Sequence, residues 1–576
     1  MKEIVTIQVG DFSNYIGSHF WNFQDELLGL AHEPDGDPIY KNMPLNMDVL
    51  YRAGETQEGI ATYCPRLISV GLQGSLGTLS TLDSLYYGIP SPDTSEIITW
   101  SGDVSKHISE PRKKNLFLQS LDEEWQGKST STGSDAVEGR GDAQIQIQDK
   151  DRVECLENGV QYWTDFSKVQ YHPRSLFELH GSWTNIQKFD NYGIGKDVLS
   201  EGSQVEEMSE RLRFFVEECD RIQGIQFVVD DSGGFSSVAA TYLEDIADEY
   251  PNTPILLYAA RSPRSYSNIV SKKESISKCL HDAISFSRLS SLCKLMVPIG
   301  LPSLSKSKFS SVLHIEDQKL FHSSAVYAAS IHSISIPFRL EMLGPATNSS
   351  NAIGAINIGE AVQMLSSHAS QNMVCALNVA MPAPSSIDEQ RQGSILRSLH
   401  SLTPEIQEDA EDFRAVETMI VHGTLYSRGH RASVSQVEDS ICASYEHEPQ
   451  KPLFSHLTVA LCPLPIPLPF PSIFKSHVGR HGELLPGSTQ SEQPKGSLDI
   501  NSVPMAARLR SSNAIIPYIQ RRLASIQRYG LQRGTSSAEL LQKWGFGREE
   551  IEDMGEDLSR KIMSFNPHSE MSTDSD

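Results

Sequence analysis

Cysteine is scarce and scattered: eight residues in a chain of 576, at Cys64, Cys155, Cys219, Cys279, Cys293, Cys375, Cys442 and Cys462. No pair has the close spacing of a zinc site or a redox motif, and so few cannot staple a chain of this length. A disulfide scaffold is excluded, and a reducing compartment fits best. Long apolar runs are missing too. No window reaches the roughly 20 uninterrupted apolar residues a bilayer crossing requires, so no membrane span is expected. The nearest candidate, Leu457 to Phe474, is broken by five prolines. Basic residues are outnumbered, 49 Lys and Arg against 73 Asp and Glu, for a formal charge of −24. Such a surface repels phosphate backbones and anionic lipid, so no nucleic-acid partner is expected. The first residues lack both the apolar core of a signal peptide and the Arg-rich, acid-poor pattern of a transit peptide.

What is present reads as globular: 39% hydrophobic and 21% charged residues, in a chain long enough for two or more core-forming units. Ile4 to Val9 is a β-branched run ending at Gly10, which predicts a buried strand and a tight loop. Asn14 to Gly29 has helical spacing, and Arg66 to Leu72 predicts a second strand. From Leu121 to Asp151 the composition turns to Gly, Ser, Thr and acids, which predicts a flexible insertion. Val205 to Ile222 carries an apolar stripe at helical period, closed by Gly224. Ile225 to Val229 then reads as a strand, Asp230 to Ser237 as a loop, the following residues as a helix, and Ile255 to Ala259 as another strand. Strand, glycine loop, helix and strand make a βαβ unit of a parallel sheet. Residues 265–345 are Ser-rich with apolar periodicity and predict mixed helices. Prolines alternate with Leu464, Ile466, Leu468 and Phe470, which predicts an edge strand or packed extended loop rather than a polyproline helix of period three.

Lys2 to Gly10 with Asn14, Gly17 and Phe20-Trp21 resembles the opening strand, first nucleotide loop and first helix of tubulin. Tyr63 to Val70 is similar to the second tubulin strand. Ile222 to Phe227, with the loop and helix beyond, resembles the segment that carries tubulin's signature glycine loop. These three collinear matches cover about residues 1–340. Within that superfamily, Trp163 to Val169 with Tyr171 to Ser175, and Phe189 to Asp197, resemble segments of the Misato family. The resemblance implies an α/β fold: a Rossmann-type parallel sheet, a smaller intermediate domain and a helical C-terminal part. The expected division is 1–120, a tubulin-like segment; 121–150, the insertion; 151–345, a second tubulin-like segment; 346–565, the intermediate and helical region; and 566–576, a disordered tail.

Sites of this family hold phosphates with backbone N–H groups of glycine loops at helix N-termini. Gly10, Asp11, Asn14, Gly233, Gly234 and Ser237 are the residues at the corresponding positions. The loop has lost most of its glycines, however: it reads Ser232-Gly233-Gly234-Phe235-Ser236-Ser237-Val238, with Asp230-Asp231 upstream. Asp11-Phe12 replaces a polar pair, Gly71 and Gln73 stand where acids would lie near Mg²⁺, and the third loop has no clear counterpart, Asp190 to Gly195 being a candidate. A carboxylate beside a phosphate costs on the order of 4 kcal/mol at about 4 Å and an effective dielectric of about 20. The residues predict a vestigial cleft kept for packing. A Mg²⁺ held by Asp11, Asp230 and Asp231 is the alternative. No catalytic residues, no resident metal and no cofactor are expected, GTP being the alternative ligand. His172 and His180 are read as solvated or capped.

The family resemblance implies a non-enzymatic protein of mitochondrial distribution, morphology and inheritance, cytoplasmic and peripheral at the outer membrane. Its partners would be proteins of the mitochondrial surface. A polymerising GTPase, or a cytoskeletal assembly factor acting with tubulin or its chaperonin, are the rival readings.

Overall fold

A computed structural model describes residues 2–55, 61–79, 113–130, 148–181, 189–200, 202–266, 271–341, 351–366, 372–385, 395–407, 412, 414–426, 430–447, 451–485, 493–532 and 536–565. A seven-stranded parallel sheet is built in the order Met373–Val374, Leu295–Ile299, Ile255–Ala260, Ile222–Asp230, Glu3–Val9, Leu67–Leu72, Leu176–Leu179. The Glu3–Val9 strand lies near the middle, with Val9 opposite Val229 on one side and Val70 on the other. All seven of its residues are buried, as a parallel strand covered on both faces requires. Val5, Ile7 and Val9 enter one apolar core, with Phe227, Val238 and Leu243. Ile4 points to the opposite core, which contains Phe12, Phe20 and Tyr327.

A second sheet of six strands has the order His400–Ser401, Ala376–Ala380, Met505–Ser511, Val416–His422, Phe454–Ala460, Ala352–Ile353. Between the two sheets runs the helix Leu320–Ser335, with 15 buried residues, packed against the helix Asp11–His32 and the strands Met505–Ser511 and Val416–His422. Its serines explain how a Ser-rich segment can be core. Ser324, Ser330 and Ser333 donate to the carbonyls of Leu320, Val326 and Ala329, which satisfies each hydroxyl within the helix.

The structure departs from the sequence reading at several points. Gly224 does not close a helix: the helix is Ser203–Glu217, and Gly224 lies inside the strand Ile222–Asp230. A Cβ there would stand 2.9 Å from Pro254 O and from Ile358, so the glycine serves a close approach rather than a stop. Asp230 still belongs to that strand, and Phe235 already opens the next helix, Phe235–Glu249, so the loop is shorter than expected. Leu295–Ile299 is a strand within the stretch read as helices; Pro298 obscured it. The start of the expected flexible insertion is helical, since Leu116–Thr130 forms one helix with Phe117 buried and Leu121 partly buried on the same cluster. Residues 131–147 of that insertion, and the tail 566–576, lie outside the described residues. The proline-alternating run is a packed extended segment. Only Leu464–Pro465 pairs, with Ser502–Val503, while Leu464, Ile466 and Phe470 are buried.

All eight cysteines are free thiols. Among the described residues no helix is long and apolar enough to cross a membrane.

Candidate functional site

The Glu3–Val9 and Ile222–Asp230 strands end side by side, so the loops after them meet at the carboxyl edge of the sheet, where ligands of open α/β folds gather. Gly10 turns the first loop with φ 106°, and a Cβ there would lie 2.6 Å from Asp230 Cβ and 2.9 Å from Phe235 Cγ. The two loops therefore touch. Phe235, at the first position of its helix, stands against the Gly10 turn.

Several N–H groups at this edge have partners from the protein itself. Gly10 N–H donates to Val70 O at 2.9 Å. Phe12 N–H, at the start of the Asp11–His32 helix, donates to Asp230 Oδ2 at 3.2 Å. The other Asp230 oxygen accepts from Ser232 N–H at 3.1 Å and its hydroxyl at 2.6 Å. In the glycine loop, Gly234 N–H donates to Phe189 O at 3.3 Å. His281 Nε2 stands 3.1 Å from Gly233 N and 2.9 Å from Asp231 O, accepting from the first or donating to the second according to its tautomer. Asn14 is spent on structure: its Nδ2 donates to Val70 O at 3.2 Å and its Oδ1 accepts from Ser69 Oγ at 2.9 Å. Ser237 is buried in the first turn of the Phe235–Glu249 helix, beside the Tyr192 side chain.

Asp190 to Gly195, the candidate third loop, does lie against the glycine loop. Asn191 caps the helix Tyr192–Val198, accepting from Ile194 N–H at 3.2 Å. A Cβ on Gly195 would be 2.0 Å from Gly234 O, and one on Gly193 would be 2.4 Å from Trp544 Cδ1. This segment is thus wedged between the glycine loop and the C-terminal helices. Phe189 completes the wedge, its ring on the face of Gly234 and 4.8 Å from that of Phe235.

The three acids take separate roles. Burial pushes Asp11 up to about 6, and its Oδ1 has no hydrogen-bond partner among the described residues. Burial pushes Asp230 up to about 7, against the pull of the Ser232 and Phe12 donors. Asp231 turns the other way, accepting from Arg261 Nε at 2.7 Å, while Arg261 Nη1 reaches Asp282 Oδ1 at 2.8 Å. Asp11, Asp230 and Asp231 do not form a three-ligand group among the described residues. His172 accepts from Arg174 N–H at 3.1 Å and stacks on Phe214. His180 is exposed, its backbone tied to Gln204.

His281, Phe189 and Arg261 carry no spacing signal, and sequence reasoning missed all three. His281 reaches the loop from 48 residues downstream of Gly233. Two of them had a usable cue: Arg261 follows directly after a strand at the carboxyl edge, and Phe189 opens the Misato-like segment that runs to Asp197. Two clefts border the loops. One of about 730 Å³ is lined by Asp190, Gly233, Lys278, His281, Lys543 and Trp544. The other, of about 510 Å³, is lined by Asp11, Tyr15, Glu157, Tyr162, Arg264 and Lys319.

Residues 2–123 match the Misato Segment II tubulin-like domain, and residues 154–340 match a tubulin domain. The chain is 26% identical to Protein misato homolog 1 of Mus musculus, over 98% of each chain. Along nearly its whole length the chain is similar to the Misato family of tubulin-like proteins. Another similar Misato-family member is Protein misato homolog 1 of Danio rerio, 28% identical over 91% of each chain. Protein DML1 of Gibberella zeae is 29% identical over 59% of this chain and 61% of its own. The seven-stranded parallel sheet with its flanking helices is the tubulin-like α/β fold that the family carries. The Misato-like stretch Phe189 to Asp197 is the wedge just described, and Trp163 to Val169 packs on the Asp11–His32 helix, where Ser18 donates to Trp163 O at 2.8 Å.

Proposed function

We propose that this chain is a non-enzymatic, tubulin-like member of the Misato family whose nucleotide cleft has become a packing junction. The observation that carries the reading is what meets the loops: the Asp230 carboxylate and the Phe189 carbonyl accept from the N–H groups of Phe12 and Gly234, and His281 Nε2 stands against Gly233 N and Asp231 O. A triphosphate would have to displace a carboxylate and a carbonyl, then sit beside Asp11 and Asp230. At about 4 Å and an effective dielectric of about 20, each ionised acid would cost on the order of 4 kcal/mol. The residues therefore do not fit GTP, and no hydrolytic step is assigned.

In this reading the protein acts through binding, in mitochondrial distribution, morphology and inheritance, as the family resemblance implies. It works from the cytoplasmic side, as a peripheral protein of the outer membrane, through protein partners. The −24 formal charge favours protein partners over the anionic lipid itself.

Two experiments test this. Protein purified without added nucleotide is extracted and analysed for guanine nucleotides, and its unfolding is followed with millimolar GTP and Mg²⁺. No nucleotide and no shift are expected. Saturation to a hundred times Kd would add about 2.7 kcal/mol, so a Mg²⁺-dependent rise would overturn the reading of the cleft. For location, protease added to intact mitochondria should digest the bound protein, and carbonate should strip it. Full protection behind a sealed outer membrane would overturn the placement.

A further inference from the structure

Outside the loop junction, one side-chain cluster is built like a metal site. Glu157 lies in the last turn of the helix Asp149–Gly159, Glu316 in the loop before the helix Leu320–Ser335, and His322 in that helix's first turn. Their nearest ligand atoms all lie within 4.8 Å of one another. Zinc-type ions hold nitrogen and carboxylate ligands at about 2.0–2.2 Å, so ligand atoms around one stand about 3.2–3.5 Å apart. Side-chain rotations of an ångström or so would close the set.

Three features make this more than a chance meeting of acids. His322 is 1% exposed, and its Nε2 already contacts Glu157 Oε1. The second oxygen of Glu157 accepts from Ser472 N–H at 3.2 Å, which fixes the carboxylate with its other oxygen toward the imidazole. Such outer hydrogen bonds orient ligands in metal sites. Finally, two carboxylates share one cation: Lys319 Nζ lies 2.9 Å from Glu316 Oε1 and 3.6 Å from Glu157 Oε1. The local balance is left negative. Glu157 and Lys319 also line the cleft of about 510 Å³, which gives an ion a path in and room for a water ligand.

We propose that Glu157, Glu316 and His322 bind a divalent cation of the zinc type, with an open position toward the cleft and Lys319 as the displaced counter-ion. One imidazole and two carboxylates suit Zn²⁺ better than Ca²⁺ or Mg²⁺, which prefer all-oxygen shells. The ion would tie the segment just after the insertion to the helix between the two sheets, coupling binding to stability.

The test uses full-length protein treated with EDTA and dialysed, titrated with Zn²⁺ by calorimetry and followed by thermal unfolding. A single site is expected, with an EDTA-reversible rise in Tm. Glu316→Gln lies on the surface and should leave the fold intact while weakening Zn²⁺ tenfold or more. His322→Gln should abolish the site. Lys319→Met should strengthen binding, because it removes the competing ammonium. No saturable Zn²⁺ binding in the wild type would overturn the proposal. So would binding that Glu316→Gln and His322→Gln leave unchanged, since that places the ion at another histidine or cysteine. A Lys319→Met variant that binds more weakly would refute the counter-ion role.

Discussion

Replacing Gly195 with alanine adds one methyl group, and the structure fixes what it meets. The Cβ would stand 2.0 Å from Gly234 O, 2.7 Å from the Gly234 carbonyl carbon and 2.9 Å from its Cα. Non-bonded carbon contacts are comfortable at about 3.5–4.0 Å, so two backbone segments must part by more than about 1 Å. Neither can retreat freely. Behind the Tyr192–Val198 helix, Gly193 already lies against Trp544. The glycine loop is tied to Phe189 O and His281 through the Gly234 and Gly233 N–H groups. Overpacking costs about 1–3 kcal/mol when side chains can yield. Here the obstruction is backbone on backbone, which puts Gly195→Ala at the upper end, about 3 kcal/mol. Gly29→Ala is the control. Gly29 sits exposed in the Asp11–His32 helix with nothing within 4 Å of a Cβ, so alanine should stabilise by about 0.5–1 kcal/mol. Urea midpoints at constant m separate the two outcomes, with exchange of the Gly233 and Gly234 amides reporting on the loop itself. If Gly195→Ala unfolds at the wild-type midpoint with protected loop amides, the wedge is not tight, and the account of the sealed cleft fails with it.

Arg261→Met should destabilise by about 3–5 kcal/mol, because it strands the Asp231 and Asp282 carboxylates without their cation; the urea midpoint measures it. Asp11 and Asp230 have folded pKa values raised to about 6 and about 7 from 3.8, so their protonated forms favour the folded state. Their contribution is fully present below pH 4 and is lost as pH rises through about 6 and then about 7. Asp11→Asn removes that loss at one position and should raise stability at pH 8 by roughly 1–3 kcal/mol, with little effect at pH 4. A variant whose gain is equal at both pH values would refute the assignment to Asp11.

The sequence by itself determined four of the seven strands of the parallel sheet and its first helix. Ile4 to Val9, Ile225 to Val229 and Ile255 to Ala259 are short runs rich in aliphatic residues, each with a glycine or proline at one end, the kind of signature that strands buried on both faces leave. It also placed the Asp230 to Ser237 stretch between a strand and a helix, which the structure shortens to Asp231 to Gly234. Local pattern misled where packing overrode it. Gly224 looks like a helix stop, yet it is a strand glycine made necessary by Pro254 and Ile358; Pro298 hid a short buried strand. Only the tertiary structure decided what packs against these loops. His281, Phe189 and Arg261 come from separate elements, as Glu157 does relative to Glu316 and His322, and their meeting depends on how helices lie across the sheets. Periodicity records which face of an element is buried, but it does not record which distant side chain arrives to satisfy a given N–H group or carboxylate.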